Sequence, residues 1–261
     1  MTEEKPDSGY ANFTLGQCYS LRGDDILAVH HFEEAYKLKN MSRQLTGSLL
    51  NCLADSYFNL GHIDKSLEFA DKSIKMFNKQ IGGYLLHYKI FNAKDKNEKA
   101  LTNLNRVLNY LEYFKTHAKT LSTDVTLPVY RVHKSKGESY MKLKDFIHAI
   151  KSFRKSWELN PEKPVSLLKK FTELAVNHSD LENARFGLEE MRKREIDTIQ
   201  VLDMLAITYI KLNDLPQALN AYEALLLLHP GNEKIKRRLA GIHVKIGNHD
   251  KAMELLAGQH I

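Results

Sequence analysis

The chain has 261 residues, 43% hydrophobic and 27% charged, the composition of an ordinary globular protein. Its longest apolar run, Ala224 to Leu228, is far short of the roughly 18 residues a membrane helix needs. The net charge of +6 sits mainly in residues 130–261, which carry 22 Lys+Arg against 17 Asp+Glu; so small an excess favours acidic partners without implying nucleic acid.

Residues 1–8 form a polar, acidic tail that lacks the basic and apolar stretches of a secretory signal. The two cysteines, Cys18 and Cys52, fall inside predicted helices and read as reduced, buried thiols of a cytoplasmic protein. Apolar residues then recur at helical spacing almost everywhere, and strand-like alternation is absent, which predicts an all-α chain. One skeleton returns seven times at a spacing close to 34 residues. The first copy, about 9–42, carries Gly16, Tyr19, Gly23, Ala28, Phe32 and Ala35. The second, about 47–80, carries Ala54, Tyr57, Gly61, Ser66, Ala70 and Ser73. The third, about 81–114, is degenerate, with Tyr84, Tyr88, Phe91, Ala100, Leu104 and Val107. The fourth, about 130–163, has Gly137, Tyr140, Ala149, Phe153, Ser156 and Pro161. The fifth, about 165–198, is again weak, with Phe171, Ala175, Ala184, Leu188 and Met191. The sixth, about 199–232, has Ala206, Tyr209, Ala218, Tyr222 and Pro230, and the seventh starts near 233 and is incomplete.

A period of this length built from two amphipathic helices is a solenoid signature. The skeleton resembles the tetratricopeptide repeat family over roughly residues 9–261. The resemblance implies a right-handed superhelical solenoid of about seven helix-turn-helix repeats. Small residues at the eighth and twentieth positions let the two helices of a repeat approach closely, and the aromatic at the eleventh fills the gap between repeats. Gly23, Gly61 and Gly247 suit the left-handed turn that ends a helix. Asp214 with Pro216 reads as the cap and first turn of a second helix, and Pro161 and Pro230 as stops. Repeats three and five carry Tyr88 and Thr172 where the small residue belongs and are expected to pack more loosely or at altered angles.

The register breaks after the third repeat. Ala100, Leu104, Val107, Leu111, Phe114, Ala118 and Leu121 alternate in steps of four and three, a seam one face wide. It predicts a helix that overshoots to about Leu121. The organisation is therefore a block of three repeats over 9–121, a connecting loop over 122–129 and a block of four over 130–261. Two packings of the overhang are open: on the fourth repeat, or on a second copy through Leu104, Val107, Leu111, Phe114 and Leu121, making a homodimer.

No phosphate-cradling glycine loop, His-Glu-x-x-His or Cys-x-x-Cys motif occurs, so the sequence supports no metal, no cofactor and no catalytic residue. The family resemblance places a binding groove on the first helix of each repeat. It assigns Tyr10, Phe13, Gln17 and Leu21 from the first repeat, then Asn51, Asp55, Phe58 and Asn59 from the second. Leu85, Lys89 and Asn92 follow from the third, Arg131, Lys134, Glu138 and Lys142 from the fourth, and Lys169, Glu173 and Asn177 from the fifth. Asp203, Lys211, Lys234, Arg237 and Lys245 come from the last two. This groove is amide-rich at its start and cationic at its end. Asparagine amides can bond an extended backbone in both directions, and the cations can hold carboxylates. The leading expectation is a non-catalytic scaffold or adaptor that binds an extended, acidic peptide segment, with simultaneous charge reversal of Lys134 and Lys169 abolishing binding. A regulatory or substrate-presenting module of a larger enzyme or assembly is the alternative, motivated by the unfinished seventh repeat. An RNA-binding helical repeat fits the small-residue skeleton less well.

Overall fold

The computed structural model describes residues 8–77, 81–117 and 128–257. Those residues form fourteen helices and no strand. They fall into two compact units, residues 1–143 and 144–261. The first holds α1 (Gly9–Leu21), α2 (Asp25–Leu38), α3 (Arg43–Asn59), α4 (Ile63–Met76), α5 (Ile81–Ala93), α6 (Asn97–Thr116) and α7 (Val129–Lys142). The second holds α8 (Phe146–Leu159), α9 (Val165–Asn177), α10 (Leu181–Lys193), α11 (Thr198–Lys211), α12 (Leu215–Leu228), α13 (Glu233–Lys245) and α14 (His249–Ala257). Within each unit every helix packs on the next one in the chain.

A backbone landmark fixes the repeat frame. The fifteenth residue of all seven repeats is left-handed: Gly23, Gly61 and Gly247 have φ of 80°, 78° and 83°, and Asp95, Lys144, Ser179 and Asn213 have 52°, 58°, 56° and 58°. The next residue donates its N–H to the carbonyl of the eleventh, as in Asp24 to Tyr19 at 3.0 Å, Asp180 to Ala175 at 2.9 Å and Asp214 to Tyr209 at 2.8 Å. That bond spans the last turn of the first helix and satisfies one of its orphan carbonyls. The same residue then caps the second helix. Asp24, Asp145, Asp180 and Asp214 each accept from the backbone N–H three residues on. Four repeats thus tolerate a side chain where glycine is unstrained. Replacing Ser179 by glycine is expected to stabilise by about 0.5 kcal/mol, whereas Gly61→Ala costs about 1 kcal/mol; urea unfolding midpoints check both.

The twentieth residues, Ala28, Ser66, Ala100, Ala149, Ala184, Ala218 and Ala252, are all buried. Ser66 keeps its hydroxyl satisfied by donating to the Ala54 carbonyl at 2.7 Å. Gly16 lies directly under the Phe32 ring. In the fifth repeat the missing small residue is supplied from the other helix: Thr172 on α9 faces Gly187 on α10, and the Thr172 hydroxyl donates to the Leu168 carbonyl at 2.7 Å. Close approach at that point survives the exchange, so the loosening expected of this repeat is not found there.

Helix α6 is long, at 20 residues, but it ends at Thr116 rather than near Leu121. The His117 N–H caps the Tyr113 carbonyl at 3.0 Å and the Thr116 hydroxyl reaches the same carbonyl at 2.9 Å, closing the helix. Ala118, Leu121 and residues 122–127 of the expected connecting loop lie outside the described residues, and Val129 already opens α7. The seam faces inward. Leu104 and Val107 are buried in one cluster with Ile81, Tyr84 and Val132, and Leu111 and Phe114 pack against it. Leu104 and Val107 are spent on α5 and α7, while Leu111 and Phe114 keep part of their surface open.

The cysteines differ from expectation. Cys18 is exposed, and only Cys52 is partly buried. Burial, with Asp55 nearby, pushes the Cys52 thiol up to about 11. A thiol-disulfide reagent at pH 8 is expected to label Cys18 at least about a hundredfold faster than Cys52, because only the thiolate reacts. Similar rates in single-cysteine variants would contradict that burial.

Candidate functional site

The face offered by the first helices is open in some places and self-occupied in others. In the first unit its polar residues bind one another. The Lys89 ammonium meets Asp55 at 2.6 Å, and both are ninth residues of adjacent repeats. Lys142 donates to the Asn92 side chain at 2.9 Å and lies 3.5 Å from Asp95. Asn59 donates to Asp25 at 3.3 Å. Asn51 is pressed against the start of α5, where a Cβ on Gly82 would stand 2.6 Å from its amide nitrogen. Phe13, assigned to the groove, is instead buried against Phe32 with ring centroids 5.9 Å apart. Arg131 and Lys134 on α7 stay exposed, with no ion pair among the described residues.

In the second unit, Lys169 is held by Asp197 at 2.5 Å, so it presents no free cation. Asn177 is exposed at the end of α9. The distinct feature lies on α11 and α13. A cavity of about 390 Å³ is lined there by Ile207, Ile210 and Lys211 on α11, by Tyr222 from α12, and by Arg238, Gly241, Ile242 and Lys245 on α13. Lys211 and Lys245 are the thirteenth residues of adjacent repeats. Both are exposed, and neither has an ion pair among the described residues. Gly241 is exposed, and a Cβ added there meets nothing within 4 Å, so the space above it stays open. Arg238 forms one wall. It is fixed by Asp203 and donates to the Tyr222 hydroxyl at 3.3 Å; burial holds the Tyr222 phenol above its ordinary value. Arg237 is exposed but does not line this cavity.

Ile207, Ile210 and Gly241 occupy the ninth and twelfth positions that the family frame turns into the groove. In the last two repeats the charged residues stand out on sequence, and these three do not. Arg238 was missed because it sits at the sixth position, outside that frame. Its signal was the aspartate one repeat earlier, Asp203.

Chemically the site is an apolar floor with two free ammonium groups on its rim. It is suited to an aliphatic side chain flanked by carboxylates. Among the described residues no group of three or more His, Cys, Asp or Glu is placed to hold a metal ion, and no helix is long and apolar enough to cross a membrane.

Two family profiles described as tetratricopeptide repeat match the sequence, over residues 131–163 and 209–259. No curated protein matches it. Several solved structures share the fold. A tetratricopeptide repeat protein from Parabacteroides merdae aligns over 96% of this chain and 91% of its own, with a TM-score of 0.53 and 14% identity. The C-terminal part of a repeat-containing protein from Cytophaga hutchinsonii aligns over 88% and 87%, with a TM-score of 0.55 and 17% identity. PilF of Pseudomonas aeruginosa aligns over 89% and 97%, with a TM-score of 0.52 and 18% identity. At these identities the likeness is one of fold. Proteins of this repeat type are in general non-catalytic and mediate protein interactions. With two matching profiles, seven left-handed turns in one register and the small-residue contacts between paired helices, the chain is a tetratricopeptide repeat protein.

Proposed function

We propose that the protein is a non-catalytic interaction scaffold that takes an extended, acidic segment of a partner protein on the α11–α13 face. The observation that carries this reading is the apolar cavity with Lys211 and Lys245 unpaired at its rim. An exposed ion pair contributes only about 0.2–1 kcal/mol, while burying one aliphatic side chain contributes roughly 1.5–3 kcal/mol. The apolar residue is therefore the anchor, and the flanking acids set register and on-rate. The first-unit cations Lys89 and Lys142, already paired, contribute less than Arg131 and Lys134. Charge reversal at Lys169 acts mainly by breaking its pair with Asp197, so Lys211 and Lys245 are the sharper test. The reduced thiols accord with a cytoplasmic location.

Selection of the full chain against a random peptide display library is expected to yield an aliphatic residue flanked by Asp or Glu. Lys211→Glu combined with Lys245→Glu is expected to weaken the selected peptide about tenfold or more and to remove most of its salt dependence. A consensus lacking acids, or unchanged affinity in the double variant with helicity intact, would reject the assignment.

A further inference from the structure

In two repeats the eleventh residue has a polar partner in the preceding repeat. Tyr57 donates its hydroxyl to Glu33, and Tyr209 donates to Glu189 at 2.8 Å. Each tyrosine is the eleventh residue of its repeat, and each glutamate is the twenty-fifth of the repeat before. The seventh repeat keeps the acid and lacks the phenol. Glu223 on α12 occupies the twenty-fifth position of the sixth repeat, but the eleventh residue of the seventh is His243. Glu223 is exposed and has no hydrogen bond or ion pair among the described residues.

A cavity of about 680 Å³ opens at this place, lined by Glu223, His243, Leu226, Leu227, Leu239 and Leu255 among others. His243 is 3% exposed, and its Nδ1 has no hydrogen-bond partner. A buried, unpaired polar atom is costly, and the residue that carries it forms part of the cavity wall. The space is larger than one ring and runs out to Leu227, which is 82% exposed.

We propose that this cavity is a vacated tyrosine slot that receives a tyrosine side chain from a partner polypeptide. The ring occupies the gap that an aromatic fills in other repeats, its hydroxyl donates to the Glu223 carboxylate, and flanking apolar residues cover Leu226 and Leu227. This site on α12, α13 and α14 is separate from the Lys211 and Lys245 groove and stands whether or not that groove binds acids.

The test is an NMR titration of the full chain with a capped Ser-Leu-Tyr-Leu-Ser peptide, its Phe counterpart and p-cresol, alongside thermal melting of variants. The Tyr peptide is expected to shift signals around Glu223 and His243 and to bind about tenfold more tightly than the Phe peptide, as a hydrogen bond to a charged group warrants. Glu223→Gln is expected to cut that preference below about threefold. His243→Tyr fills the slot from within; it is expected to raise the melting midpoint by about 2–4 °C and to abolish binding. The proposal is overturned if the two peptides bind alike or not at all, or if His243→Tyr lowers the midpoint and leaves binding unchanged. Binding of p-cresol as tight as that of the Tyr peptide overturns the polypeptide as the source. If His243→Tyr fails to fold, the Glu223→Gln comparison decides alone.

Discussion

Gly16→Ala will unfold the first repeat. A Cβ at Gly16 would stand 2.4, 2.5 and 3.0 Å from three atoms of the Phe32 ring, and Phe32 is fully buried. The ring is rigid and is itself packed against Phe13, so it has nowhere to turn. Overpacking of this kind costs about 3 kcal/mol, well above the 1 kcal/mol or less that alanine gains over glycine in a helix. Because a solenoid repeat contacts only its neighbours, the loss should be local. Amide exchange is expected to accelerate across α1 and α2 while α11 and α12 keep their protection. Gly241→Ala is the matched control. It has open space around it and is expected to stabilise by about 0.5–1 kcal/mol. Equal effects of the two substitutions would contradict the packing described for Gly16.

Gly187→Ala is expected to be nearly as damaging, and it can be repaired. Its added Cβ would lie 2.0 Å from the Thr172 hydroxyl oxygen, 2.9 Å from Thr172 Cβ and 3.1 Å from the Phe171 ring. The hydroxyl is tied to the Leu168 carbonyl and cannot swing away without leaving a buried hydroxyl unpaired. The expected loss is about 2–3 kcal/mol. Moving the small residue back to α9, as Gly187→Ala with Thr172→Gly, removes two of the three clashes and is expected to recover all but about 1 kcal/mol, the cost of a helical glycine. Denaturant midpoints of the two single variants and the double variant measure the coupling. Additive losses in the double variant would show that Thr172 and Gly187 are not one contact.

Much of the fold could be read from residues whose size is forced by close helix approach. Gly16, Ala54, Ala206 and the seven small twentieth residues announce the pairing of helices because no larger side chain fits there. The left-handed turn was legible only where glycine marks it. At Asp95, Lys144, Ser179 and Asn213 the same φ is imposed by closing one helix onto the next, and the available clue was the capping Asp145, Asp180 or Asp214 that follows three of them. The inward turn of Leu104 and Val107 was one of two open packings, because a heptad seam looks the same whether it meets another chain or the helices beside it. The groove was partly legible. Helical position told which residues share a face, but not that Lys89, Lys142 and Lys169 are already paired, since their partners stand 34, 47 and 28 residues away. Nor could position alone show that an apolar floor lies between Lys211 and Lys245.

That floor is where the functional account is most exposed to refutation. Gly241→Leu places an aliphatic side chain on the groove side of α13, where an added Cβ meets nothing within 4 Å, with a gain in helix propensity. Titration of the full chain and of this variant with the display-selected acidic peptide, followed by fluorescence anisotropy, is the direct measurement. The α11–α13 groove predicts at least about a tenfold loss of affinity in a variant whose melting midpoint is equal or higher. Undiminished affinity in that folded variant would place the partner's binding site elsewhere.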